Sequence, residues 1–221
     1  MSQSLWTAID DYIVGALSPQ DEALSQALAD SKAAGLPAIN VAPNQGKLLQ
    51  ILAKMVGARR ILEVGTLGGY STIWMARALP ADGRLISLEY SAKHAEVARA
   101  NLARAGLADK VEVRVGAALE SLPGVEADMD APFDLVFIDA DKRNNPGYFT
   151  WAMKLTRPGA VIIVDNVVRA GSVIDAQSDD PDVRGVREVY ALIAAEPRVA
   201  ATAVQTVGSK GHDGFAIAWV R

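Results

Sequence analysis

Five short apolar runs recur along the middle of the chain: RILEV at 60–64, RLISLE at 84–89, VEVRV at 111–115, FDLVFI at 133–138 and AVIIV at 160–164. Amphipathic stretches at 70–79, 91–105, 117–122 and 145–155 separate them. A strand can be apolar on both faces only if both faces are covered, so this alternation predicts an α/β, doubly wound, mostly parallel sheet with helices on either side. Such a sheet places its ligand crevice at the carboxyl ends of the strands. After an Asp-rich loop at 171–183, a helix at 184–195 leads to two more strand candidates, 199–207 and 214–220. Their short connection, GSKGHDG, suits an antiparallel hairpin and brings the expected strand total to seven.

Ahead of the sheet, Leu5, Ile9, Ile13 and Leu17 recur at helical spacing, and Leu24 and Leu28 follow the turn at Ser18-Pro19. A third helix is expected at 43–57, with Pro43 at its start and Gly57 as its stop. With 221 residues and 50% hydrophobic content, one domain spanning 1–221 is expected, with the helices of 1–57 packed on it.

Composition removes several function classes. A net charge of -4 and no dense basic stripe argue against a nucleic-acid partner. With no cysteine, any metal must bind through oxygen or the two histidines. The N-terminal MSQSLWTAIDDYIVGAL carries Asp10 and Asp11 and lacks a basic start, unlike a signal peptide. No apolar run approaches the roughly 20 residues that span a bilayer. The expectation is a cytoplasmic enzyme or binding domain without a membrane partner.

EVGTLGGYS, residues 63–71, follows the first strand and opens a helix. Gly65, Gly68 and Gly69 permit a tight turn and close backbone approach to a ligand, although the spacing is not that of a dinucleotide pyrophosphate cradle. Glu89 ends the second strand about 20 residues beyond a glycine turn, the separation at which a carboxylate accepts ribose hydroxyls. Glu63 lies inside the first strand, where a carboxylate is costly unless it meets a ligand cation or fixed donors. S-adenosylmethionine offers an ammonium and a sulfonium, whereas a dinucleotide needs its pyrophosphate kept clear of such an acid.

Asp139 and Asp165 close two apolar strands, and Asn166 follows the second. Three hard oxygen donors from two adjacent loops suit Mg²⁺ or Ca²⁺ better than zinc. Lys142, three residues beyond Asp139, can point into the same crevice and serve as a base. Asp141 suits either the donor's ammonium end or the cap of the next helix. His94 and His212 are expected at the surface and in a loop, and Trp6, Trp74 and Trp151 in packing roles.

From INVAPNQGKLL through ILEVGTLGGYSTIW, SLEYSAKHAEVARANLARAGL, FIDADK and VDNVVRAG to AVQTVGSKGHDGFAIA, the chain resembles the cation-dependent class I S-adenosylmethionine-dependent O-methyltransferases, the group of catechol and caffeoyl-CoA O-methyltransferases. The form of DNVVR resembles bacterial members. The resemblance implies a Rossmann-like fold and a role for each matching position. Asp139, Asp165 and Asn166 match the metal ligands and Lys142 the base. Glu63, Gly65, Thr66, Gly69 and Ser71 match the donor pocket, Glu89 the ribose acid, Ala118 the adenine-side contact and Val41 a residue packing over the donor, with Asp139 also bordering it. It implies a small phenolic acceptor, a divalent cation (Mg²⁺ first, Ca²⁺ or Mn²⁺ as alternatives) and a homodimer. Residues that hold the CoA portion in the plant enzymes have no match here.

The expected reaction is direct methyl transfer to one hydroxyl of a vicinal diphenol, with the Gly171–Arg184 loop as a lid. The rivals are a nicotinamide-dependent oxidoreductase of the same layer architecture and a noncatalytic adenosylmethionine-binding module. Glu63 and the glycine spacing count against the first, and the grouping of Asp139, Lys142, Asp165 and Asn166 against the second.

Overall fold

In the computed structural model, which describes residues 2–221, the strands are β1 (Arg60–Val64), β2 (Arg84–Glu89), β3 (Val111–Val115), β4 (Phe133–Ile138), β5 (Thr156–Asp165), β6 (Val199–Gly208) and β7 (Gly211–Val220). They form one sheet in the order β3-β2-β1-β4-β5-β7-β6. The first five run parallel, while β7 is antiparallel to β5 and β6 to β7. The helices are α1 (Gln3–Leu17), α2 (Glu22–Ala33), α3 (Pro43–Met55), α4 (Tyr70–Ala76), α5 (Ala92–Arg104), α6 (Ala118–Asp128), α7 (Asn145–Leu155) and α8 (Pro181–Ala195). Every residue of β4 is buried, because its two faces feed two cores. Val136 and Ile138 pack with Phe149 of α7 and Val186 of α8, whereas Leu135 and Phe137 pack with Leu49 of α3, Ile73 of α4 and Leu102 of α5. Between β1 and β4 the chain direction of winding reverses, and the crevice of a doubly wound sheet opens at that point.

The sequence misplaces several boundaries, each for a nonlocal reason. The helix expected to stop before Pro123 continues to Asp128, since Leu122 and Val125 bury their side chains beyond what the lost backbone bond costs. The last helix starts at Pro181 rather than 184, because the Asp180 side chain caps it by accepting from Asp182 N. A 3-10 turn, Arg169–Ile174, occupies part of the expected loop. The expected seven-residue hairpin connection is mostly strand, with Gly208 paired to Gly211 and only Ser209 and Lys210 between them. Gly214 lies within β7, paired to Gln205, and the position needs a glycine because a Cβ there would meet the Val204 carbonyl oxygen.

The N-terminal helices join the site rather than hanging beside it. Asp10 of α1 is buried, accepting from Asn44 Nδ2 at 2.9 Å and from Ser209 N at 2.7 Å. It thereby clips the β6–β7 tip to the start of α3. Among the described residues no helix is long and apolar enough to cross a membrane.

Candidate active site

Glu63 faces Ser87 across the β1–β2 register and is fully buried. Ser71 Oγ donates to its Oε1 at 2.6 Å, and Thr72 Oγ1 and Ser87 Oγ donate to its Oε2 at 2.5 and 2.6 Å. Of the two environments expected for it, fixed donors are the one present in the fold. One acceptor direction on Oε1 stays open. Burial pushes the Glu63 carboxyl up to about 7; the hydroxyls oppose this and the Asp139 charge adds to it.

Gly65 and Gly69 adopt φ +102 and +82, and a Cβ on Gly65 would run into the Asp139 carbonyl oxygen. The turn after β1 is therefore seated directly on the end of β4. Glu89 holds it from the other side, with Oε2 accepting from Thr66 N at 3.1 Å and Leu67 N at 2.8 Å, and Oε1 from Ser91 N at 2.9 Å. Since Ser87 donates to Glu63, the 2.5 Å contact between Thr66 Oγ1 and Ser87 Oγ has Thr66 as donor. One hydroxyl chain thus links Glu63 to the turn that Glu89 fixes.

At the next strand ends, Asp139 continues β4 by donating its N–H to Val64 O at 2.8 Å. Its Oδ1 pairs with Lys142 Nζ at 2.6 Å. Lys142 lies on a 3-10 turn, Lys142–Asn144, and is buried because Gly185 of α8 packs on its carbonyl, where a Cβ would collide. Asp165 accepts from Asn166 N on Oδ1 and from Gln45 Nε2 on Oδ2, both at 2.8 Å. Burial first, and then the Asp139 charge, raise its carboxyl to about 7, which a nearby cation would reverse. Asn166 adopts φ +56, a conformation Asn tolerates better than most residues, and its side-chain amide bonds no described residue. Among the described residues no group of three His, Asp or Glu side chains is placed to hold a metal ion, so a cation here needs the Asn166 oxygen beside the two carboxylates. That all-oxygen set, with two carboxylates close enough to repel, fits a hard divalent ion.

Val41 is buried on the segment leading into α3, and Ala118 opens α6 half-buried. Asp141 does not cap the following helix; its oxygens accept from Tyr148 Oη at 2.6 Å and Asn144 Nδ2 at 2.5 Å, bracing the turn that carries Lys142. His94 is not free at the surface, since Nδ1 lies 3.3 Å from Glu89 Oε1. His212 sits in β7 rather than a loop, 2.9 Å from Gln205 Oε1. Trp74 packs edge-on to Tyr70, at 6.5 Å between centroids, as expected of a packing residue. Thr72, Ser87 and Gln45 are the site residues that sequence reasoning missed. The alternation of β2 puts Ser87 on the same face as Glu89, a usable signal for the serine alone.

A family model described as O-methyltransferase matches residues 17–216. A catechol O-methyltransferase of Niastella koreensis is 50% identical over the whole of both chains. One of Mycobacterium tuberculosis is 54% identical, covering 96% of this chain and 95% of its own. The crystal structure of an O-methyltransferase from Bacillus cereus in complex with SAH superimposes with a TM-score of 0.98 at 59% identity, covering both chains fully. None of these likenesses supports the oxidoreductase alternative.

Proposed function

The chain belongs to the O-methyltransferase family, and from that premise we propose that it carries the methyl group of S-adenosylmethionine to one hydroxyl of a vicinal diphenol with the help of a divalent cation, Mg²⁺ being the best suited. The observation that carries this reading is the junction at Gly65. It seats the glycine turn on the Asp139 carbonyl, so residues suited to the donor and residues suited to a cation share one wall. S-adenosylmethionine supplies an electrophilic methyl on a sulfonium, and its demethylated form, SAH, is the molecule in the Bacillus cereus relative.

Glu63, Gly65, Thr66, Gly69 and Ser71 would take the donor's methionine portion, Glu89 its ribose and Ala118 its adenine edge, with Val41 packing over it. The free acceptor direction on Glu63 Oε1 suits an ammonium. Asp139, Asp165 and Asn166 would hold the cation. When bound, it supplies the charge that draws a phenol, with an ordinary pKa of about 10, toward its phenolate near neutral pH. Lys142, paired to Asp139 in the present arrangement, would lose that partner when a cation takes Asp139, release its ammonium proton to water and, as the free amine, accept the phenolic proton at Nζ. The catechol-type acceptor rests on the two catechol O-methyltransferase relatives.

A homodimer is part of this reading. The outer edge of β6 is unpaired among the described residues, with Val204 and Val207 exposed, and α1 beside it leaves Leu5 and Ile9 exposed. Light scattering on the purified chain checks it, and a monomer at micromolar concentration removes it.

The reaction is tested by transfer of a labelled methyl group to a diphenol panel with Mg²⁺ and then with excess EDTA. Product that disappears with EDTA supports donor, cation and acceptor together, whereas EDTA-resistant product takes the cation out of the reading.

A further inference from the structure

Arg169 stands three residues after Asn166 and opens the 3-10 turn beyond β5. Every other arginine of the chain makes a hydrogen bond or ion pair to a carboxylate, a backbone carbonyl or a side-chain amide oxygen, but Arg169 makes none through its side chain among the described residues. Its Nε is nevertheless cut off from water. The carboxylate that does hold this turn, Asp213, spends Oδ1 on the backbone N–H groups of Val168 and Arg169, both at 3.0 Å. A guanidinium is always charged, and a desolvated donor without an acceptor is costly. The backbone that presents it is itself strained, since Arg169 and Ala170 adopt φ +56 and +53 in succession. Strain and an orphaned charged donor together mark a group set aside for a ligand.

The strand order tells which ligand. Donor-side residues come from the ends of β1 and β2, and cation-side residues from β4 and β5. Arg169 follows β5 three residues beyond Asn166, so it belongs to the cation-side strand end rather than to the donor-side ends of β1 and β2. The turn ends on Ile174, which is 85% exposed, so one short segment offers a cation and an apolar side chain. We propose that Arg169 binds a carboxylate on the acceptor, so that the preferred substrates are acidic diphenols of the dihydroxybenzoate or dihydroxycinnamate kind. The pairing is charge-assisted and can be bidentate, which fixes the orientation of the ring as well as its affinity. The proposal rests on the methyl-transfer reading above.

The experiment compares 3,4-dihydroxycinnamate with its methyl ester as acceptors, for the wild type and for Arg169→Gln and Arg169→Lys, with SAH binding measured on all three. The wild type is expected to favour the acid at least tenfold in kcat/KM, through KM. Arg169→Gln should lose that preference and Arg169→Lys keep part of it, while SAH affinity holds. A wild type that uses acid and ester alike overturns the proposal without any variant, as does an Arg169→Gln enzyme that loses both acceptors equally. Loss of SAH affinity in Arg169→Gln assigns the guanidinium to the donor's carboxylate and equally overturns it. If the wild type methylates no diphenol at all, it is the methyl-transfer reading that fails.

Discussion

Lys142 Nζ lies 2.6 Å from Asp139 Oδ1, and the lysine side chain is 8% exposed. The two come from one strand end and the turn after it, and α8 closes over them through Gly185. A surface ion pair of this kind would contribute little, but a buried one constrains both partners. If the amine is the base, Lys142→Met should lower kcat by about 10² to 10⁴ while SAH still binds. An unchanged kcat in the variant would take Lys142 out of the proton transfer. Asp139→Ala should abolish the Mg²⁺-dependent turnover and spare donor affinity, which isothermal titration with SAH measures separately.

Two glycine substitutions should act in opposite directions. Gly65→Ala adds a Cβ against the Asp139 carbonyl in a backbone at φ +102, and should destabilise the fold by about 2 kcal/mol or more. Gly15, inside α1, has nothing within 4 Å of the site of a Cβ. Gly15→Ala should therefore stabilise by about 0.5–1 kcal/mol through helix propensity. Urea denaturation of the three proteins decides both, and a neutral Gly65→Ala would dissolve the seated-turn argument.

The strands legible in sequence were those whose pattern is local. RILEV, RLISLE, VEVRV and FDLVFI occupy the residues of β1 to β4 because charged or small residues bound each apolar run. The placement of Asp139, Lys142, Asp165 and Asn166 beside the ends of β4 and β5 was legible for the same reason. What stayed hidden depends on partners remote in the chain. Gln45 reaches Asp165 across 120 residues and has no local signature, whereas Ser87, 24 residues from Glu63, is marked only by sharing a face of β2 with Glu89. The continuation of α6 past Pro123 and the glycines inside the last hairpin are likewise set by neighbours on other elements.

Glu63 should give stability a pH dependence of its own. Its folded-state value of about 7 exceeds the ordinary 4.5 because burial penalises the carboxylate. Below pH 4.5 both states are protonated and the group contributes nothing. As pH rises from 4.5 to 7 the unfolded chain ionises first, so stability falls, by up to about 3 kcal/mol at ~1.4 kcal/mol per pH unit, and then levels off. Thermal unfolding between pH 5 and 8 should show this loss in the wild type and less of it in Glu63→Gln. Because an ammonium beside Oε1 favours the carboxylate, SAH should bind more tightly as pH rises through 7, releasing a proton. Titration in two buffers of different ionisation enthalpy detects that release, and its absence separates Glu63 from the donor.

Gln45 ties the N-terminal helices to the cation site. It lies on the first turn of α3, next to the Asn44 that Asp10 holds from α1, and donates to Asp165 Oδ2 at 2.8 Å. Removing that donor frees Asp165 to turn while leaving its charge in place, so the loss should fall on cation affinity rather than on the donor. Residues that orient metal ligands typically change affinity about 10- to 100-fold when removed. Gln45→Leu should weaken Mn²⁺ binding, followed by the electron paramagnetic resonance of the free ion without any substrate, by about that factor. Gln45→Asn, one methylene shorter, should not restore it, since its amide cannot reach the same oxygen from the same backbone. Turnover in Gln45→Leu should then return toward the wild-type rate as Mg²⁺ is raised. Failure to return under saturating Mg²⁺, with Mn²⁺ affinity intact, would place Gln45 in the acceptor's path instead.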